Sequence, residues 1–150
     1  MKKVVSAKRP SRFQFVLDEL MPLRPTVRQM FGFTYVYLDE KLLLSFRDSV
    51  KQPQYNGVWF YTEAEHIDSL RKEFPQLPKR YFWKSRRSGS GWVILAAQLD
   101  EFEEYAFRAC ELILGGDRRI GRVTRRGLKR NAGGGDDDPH GKSAEVARAI

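Results

Sequence analysis

The 150-residue sequence is poor in the residues that build metal and redox centres: it has one cysteine, Cys110, and two histidines, His66 and His140. A single thiol excludes an internal disulfide and any metal site made from several cysteines. A reducing, cytoplasmic setting is expected. One histidine falls in an expected helix and the other near the C-terminus, so a shared site would need the tail to fold back. Surface and tail histidines are the favoured reading, with no metal and no cofactor. Long apolar runs are missing as well. Residues 91–97 and 42–44 are the longest, far below the roughly 20 needed to span a bilayer, so no membrane association is expected. The N-terminus is basic but has no apolar stretch before charge returns at Lys8 and Arg9, which argues against a secretory leader.

Acidic residues are absent where basic ones concentrate. The formal net charge is +8, yet residues 13–117 carry 13 Lys or Arg against 15 Asp or Glu. The excess sits in the flanks: five cations in residues 1–12, and seven in residues 118–130 (Arg118, Arg119, Arg122, Arg125, Arg126, Lys129, Arg130), with no acid in either stretch. A basic face on the folded body is therefore not implied.

With 41% hydrophobic and 13% aromatic residues, the chain has ample material for one core. Ser11 and Gln14 have capping-box spacing, and Phe13, Val16, Leu17 and Leu20 follow at helical intervals, up to the prolines Pro22 and Pro25. Residues 26–31 and 33–38 read as strands; Asp39-Glu40 turns into a third, 41–47. After a loop with Pro53, Asn56 and Gly57, residues 58–61 read as a further strand. Thr62 and Glu65 suggest a second capping box before Ile67, Leu70 and Phe74, and Pro75 stops that helix. A hairpin of 80–84 and 92–96 follows, then a helix with Asp100 as N-cap and Glu103 three residues on. Gly115-Gly116 closes it.

The expected organisation is a flexible basic segment over residues 1–10, a domain over 11–116, and a flexible tail over 117–150, basic and then acidic. The domain is read as α+β: a two-layer sandwich of antiparallel sheet with helices on one face, in the order α-β-β-β-(β)-α-β-β-α.

Between the first helix and the first hairpin stands Arg28-Gln29-Met30-Phe31-Gly32. This string resembles the R-x-M-F-G signature of the TfoX/Sxy N-terminal domain family, similar in fold to the YjbR/MmcQ-like proteins. Agreement in element order extends over roughly residues 13–114. Phe33 stands where the family often has a second glycine. The resemblance implies a compact fold without known catalytic activity and a role in transcriptional regulation through protein contacts; Arg28, Met30, Phe31 and Gly32 are the motif residues it transfers.

Few residues suggest chemistry. Ser69 and Lys72 match S-x-x-K by chance, because the companion motifs that give it a mechanism are missing. Glu101, Glu103, Glu104 and Glu111 read as a solvated helix face, two of them favoured by the helix dipole. Cys110 is expected to pack in the core rather than react. Arg86, Arg87 and the turn 88–91 could cradle a phosphate, although a hairpin loop is the commoner meaning.

Tyr35, Tyr37, Trp59, Tyr61, Tyr81, Trp83 and Trp92 alternate along their strands, so several share a sheet face. Covering the open face or forming a dimer contact is favoured over base stacking. The tail cations would attract phosphate backbones nonspecifically, with a solubilising appendage as the equal alternative.

The leading expectation is a non-enzymatic regulatory or adaptor domain. It would act through a protein partner, with nucleic acid associating at the tail and a homodimer as one form of contact. The alternative is a small-ligand domain with a pocket between helices and sheet near Phe31, Trp59, Trp83 and Trp92.

Overall fold

The computed structural model describes residues 12–30, 32–85 and 87–123. Within them the chain is α+β: three α-helices and an antiparallel sheet of seven strands. The helices are α1 (Gln14–Leu20), α2 (Ile67–Arg71) and α3 (Phe102–Leu114). The strands are β1 (Thr26–Met30), β2 (Phe33–Leu38), β3 (Lys41–Arg47), β4 (Gly57–Glu63), β5 (Phe82–Lys84), β6 (Ser90–Ala96) and β7 (Arg122–Val123). Across the sheet the order is β1-β2-β3-β4-β6-β5, with β7 paired to β3 beside that path. No helix among the described residues is long and apolar enough to cross a membrane.

Strand register sets the core. Leu44 stands opposite both Val36 and Phe60, and Phe60 opposite Val93; paired residues share a sheet face. On that face Phe13 packs on Phe46 and Phe102, while Phe60 packs on Phe74 and Phe74 on Tyr105. These contacts bring α1, α3 and the end of the α2 segment onto one apolar surface. In α1, Val16 and Leu20 are buried at helical spacing; in α3, Phe102, Ala106, Ala109 and Ile113 are buried as the periodicity predicts.

The opposite face corrects an expectation. Ser45 pairs with Tyr35 and Trp59, and Trp59 with Ile94. Tyr35, Tyr37, Trp59, Tyr61, Tyr81 and Trp92 are all buried. Three of their polar tips are met internally: Ser45 and Tyr61 hydroxyls lie 2.9 Å apart, the Trp59 indole donates to the Tyr55 carbonyl at 2.8 Å, and the Tyr81 hydroxyl donates to the Gln54 carbonyl. The loop before β4 and the turn before β5 thus close over these rings. They form core, and do not offer an open aromatic face for stacking or dimer contact.

Local starts differ from the capping patterns. Thr62 belongs to β4 and is fully buried, and the backbone N–H of Ala64 donates to the Gly89 carbonyl, so the chain enters a short 3-10 turn before α2. A strand pairing with β6 outcompetes the local cap. The N-cap of α3 is Glu101 and not Asp100, again without a side-chain cap bond. Between β2 and β3, Asp39 takes the left-handed conformation (φ 56°), which Asp tolerates; this is how the tight turn forms without glycine. The motif string serves a turn as well. Met30 pairs with Phe33, Gly32 supplies φ 80° in the connection, and Arg28 lies over the Tyr37 ring at 5.9 Å. Phe31 lies outside the described residues.

The domain also ends later than Gly116. Gly115 and Gly116 do stop α3, Gly116 in the left-handed conformation, but the chain then returns to the sheet. β4 pairs with β3 only as far as Phe60, and β7 occupies the space beyond, pairing Arg122 with Leu42 and Val123 with Lys41. The Gly121 N–H donates to the Tyr61 carbonyl at 2.6 Å, and Ile120 is buried. Ahead of this wedge, Arg119 bonds Asp117 at 2.7 Å and Glu73 at 2.8 Å, and Arg108 shares Glu73 at 2.7 Å. The Arg119 guanidinium, then Arg108, holds the Glu73 carboxyl below its ordinary range; Arg119 does the same to Asp117. Residues 117–123 are therefore part of the fold, because one apolar side chain and one guanidinium tie them down.

Candidate functional site

A concavity of about 900 Å3 lies at the β5 edge of the sheet, against α2. α2 contributes Ile67, Asp68 and Arg71; the turn before β5 contributes Lys79; β5 contributes Phe82, Trp83 and Lys84. Ser85 and Arg87 come from the hairpin turn, and Trp92 from β6.

Several contacts hold this groove in shape. Gly91 lets Ile67 approach β6: a Cβ there would stand 3.1 Å from Ile67 Cδ1 and from the Trp83 carbonyl oxygen. Asp68 and Arg71 are three residues apart and so project from one side of α2. Asp68 meets Lys84 at 3.4 Å, and the Arg71 guanidinium lies 5.8 Å from the Phe82 ring. The Asp68–Lys84 pair is exposed and worth less than about 1 kcal/mol, so an anion can displace Asp68 cheaply. Trp83 stands opposite Trp92 in register, with ring centroids 5.8 Å apart and planes tilted by 34°. Trp92 is buried and Trp83 half-buried. The indole N–H of Trp92 has no hydrogen-bond partner among the described residues.

Charge distinguishes this groove from the rest of the domain. Arg71, Lys79, Lys84 and Arg87 surround it, with Asp68 as the one carboxylate. A second depression of about 720 Å3, over the start of α3, has the opposite character: Glu73, Glu101, Glu104 and Glu111 line it with Arg108. There Arg108 bonds both Glu73 and Glu111, so those two carboxylates are held in ion pairs. The near-neutral average over residues 13–117 concealed this segregation. Residues 71–87 alone hold seven Lys or Arg and one acid, a local count that would have revealed it.

The residues singled out in the sequence fall in several places. Trp83 and Trp92 line the groove; Trp59 does not, being buried with its indole bonded to Tyr55. The turn amides are used within the hairpin: Gly89 N–H donates to the Ser85 carbonyl and Ser88 N–H to Ser85 Oγ. Those two amides are thus engaged within the turn itself. Arg86 lies outside the described residues. Among the tail cations, Arg118 is exposed, Arg119 is held in its ion pairs and Arg122 lies in β7. Arg125, Arg126, Lys129 and Arg130 lie outside the described residues.

Ser69 Oγ donates to the His66 carbonyl and accepts from Arg119, a structural use. His66 is half-buried beside Glu65 at 3.6 Å. No group of three His, Cys, Asp or Glu side chains among the described residues is placed to hold a metal ion. Cys110 is buried, its thiol 3.8 Å from the Val16 carbonyl, and desolvation pushes its pKa up to about 12.

Comparison with protein-family models, curated proteins and solved structures returns no match. Fold and groove together define an α+β domain with a cation-rimmed aromatic cleft at one sheet edge.

Proposed function

We propose that the domain is a binding module and not a catalyst, and that its site is the groove between α2 and β5. One observation carries this reading: four cations and one carboxylate surround a concavity floored by aromatic rings. Its volume of about 900 Å3 falls in the range of small-molecule sites. A thermal-shift screen of the full chain against a metabolite panel tests it. A ligand at 100 times its dissociation constant stabilises by roughly 2.7 kcal/mol, and anionic compounds should dominate the hits. If hits survive the double substitution Arg71→Ala, Lys84→Ala undiminished, the site lies elsewhere.

A regulatory or adaptor role through protein contacts, in a two-layer sandwich of TfoX N-terminal type, is the reading the motif string supports, and a single buried thiol suits a cytoplasmic protein. Arg118, exposed at the surface, and the cations beyond Val123 are the residues for nonspecific nucleic-acid association. Since residues 117–123 pack on the sheet, that idea is tested by ending the chain after Val123. Unchanged retention on a polyanion column would reject it.

A further inference from the structure

Resting on the groove as the binding site, we infer that its ligand is a nucleotide unit, with a planar base against Trp83 and phosphate among Arg71, Lys79, Lys84 and Arg87. Two features converge on this chemistry. The first is a supported ring. Trp92 backs Trp83 at 5.8 Å, and Trp83 keeps part of its surface open to the groove. A ring fixed on one side and open on the other is a stacking platform, and it accepts any base because every base has a π-face.

Charge is the second feature. Four cations against one carboxylate favour an anion, and two of the four are arginines, whose forked donors match phosphate oxygens. Among the described residues Lys84 pairs with the exposed Asp68, a partner that phosphate replaces. Inorganic phosphate alone would leave the aromatic floor unfilled, and a carboxylate-rich peptide brings no ring for it.

The unit is either a free mononucleotide or one nucleotide of a single strand. The groove lies on an edge strand and takes lining residues from both sides of it, Phe82 and Lys84 on one and Trp83 on the other.

The test uses the full chain, with intrinsic tryptophan fluorescence and calorimetric titration as readouts. The probes are adenosine and uridine monophosphate, a ten-residue oligouridylate, adenosine and inorganic pyrophosphate. A monophosphate or the oligonucleotide should bind at least tenfold more tightly than adenosine or pyrophosphate. Trp83→Ala should weaken it about tenfold or more, Trp83→Phe should restore part of the loss, and Arg71→Ala, Lys84→Ala should weaken it to a similar degree. Melting curves establish that each variant is folded, and oligonucleotide affinity resting on the tail survives all of them.

Binding of monophosphates assigns a free nucleotide; binding of the oligonucleotide alone, lost with Trp83→Ala, assigns a strand. Nucleotide or oligonucleotide affinity indifferent to both sets of substitutions overturns the inference. So does silence from every nucleotide probe. If another anionic metabolite then binds in a manner sensitive to Arg71 and Lys84, the groove remains the site and only the ligand class is wrong. If no compound does, the groove reading falls with it.

Discussion

Replacing Ile120 by alanine tests whether the residues after α3 hold the domain together. Ile120 is 2% exposed and sits one residue before the Gly121 bond to Tyr61 and two before β7. Truncating a buried isoleucine to alanine costs about 2–5 kcal/mol, more where the surroundings cannot collapse. Here the side chain precedes a two-residue strand near the end of the described residues, where relaxation is easy, so the lower part of that range applies, about 2–3 kcal/mol. For a domain of this size that corresponds to a fall in Tm of roughly 8–15 °C. Chemical denaturation should show the midpoint shifted with the slope unchanged. Val123→Ala is the control, because Val123 is 50% exposed and surface changes usually stay within about 0.5 kcal/mol. If Ile120→Ala is also within 0.5 kcal/mol of wild type, residues 117–123 are an appendage and the domain ends at Gly116 after all.

Acid sensitivity should trace to the Glu73 cluster. Glu73 and Asp117 both have carboxyls held below their ordinary range by Arg119, Glu73 by Arg108 as well. Their contribution is complete above the unfolded carboxylate pKa of about 4 and lost as pH falls through the lower folded values. Glu73→Gln should lower Tm at neutral pH and flatten its decline on acidification, as followed by circular dichroism. Cys110, with its pKa pushed up to about 12, should resist a thiol-specific chromogenic reagent at about pH 8 in the native protein and react once the chain is unfolded; prompt native reaction would refute its burial. At Gly57, φ is 149° and a Cβ would fall on the Leu95 carbonyl. Gly57→Ala should therefore destabilise more than any surface substitution, by more than about 3 kcal/mol in a urea titration.

Much of this architecture is legible in the residues themselves. The β-branched and aromatic content of 33–38, the apolar run in 41–47 and the spacing of Phe102, Ala106, Ala109 and Ile113 correspond to elements present in the structure. Those signals are strong because strands buried on both faces read as apolar runs and a helix buried on one face repeats every third to fourth residue. The misses have physical causes. β7 is two residues long and follows a glycine pair in a basic stretch, so it has no periodicity to detect. Thr62 carries a cap-like pattern that loses to seven residues of pairing between β4 and β6. The groove was partly legible: Trp83 and Trp92 stood out, but Arg71, Lys79, Lys84 and Arg87 were dissolved in a whole-domain charge average. Alternation along single strands did not reveal that Trp59 would be buried, because it says nothing of the loop carbonyl of Tyr55 that takes the indole bond, or of Tyr81, which packs on the Tyr55 ring from a distant part of the chain.

The β7 wedge has a consequence for how the sheet assembles. Every other pairing in it joins strands that lie between two connecting residues and a few dozen apart, whereas Lys41 meets Val123 only after the intervening chain has been threaded through β4, β6 and α3. Closing so long a loop is entropically dearer than forming a local hairpin, and non-local pairing slows folding. The β1–β2–β3 meander can form from local contacts, and the carboxyl-terminal residues act as the latch that seals the finished sheet. In hydrogen exchange, the Gly121 amide, bonded to Tyr61, reports the opening of that latch separately from the unfolding of the core.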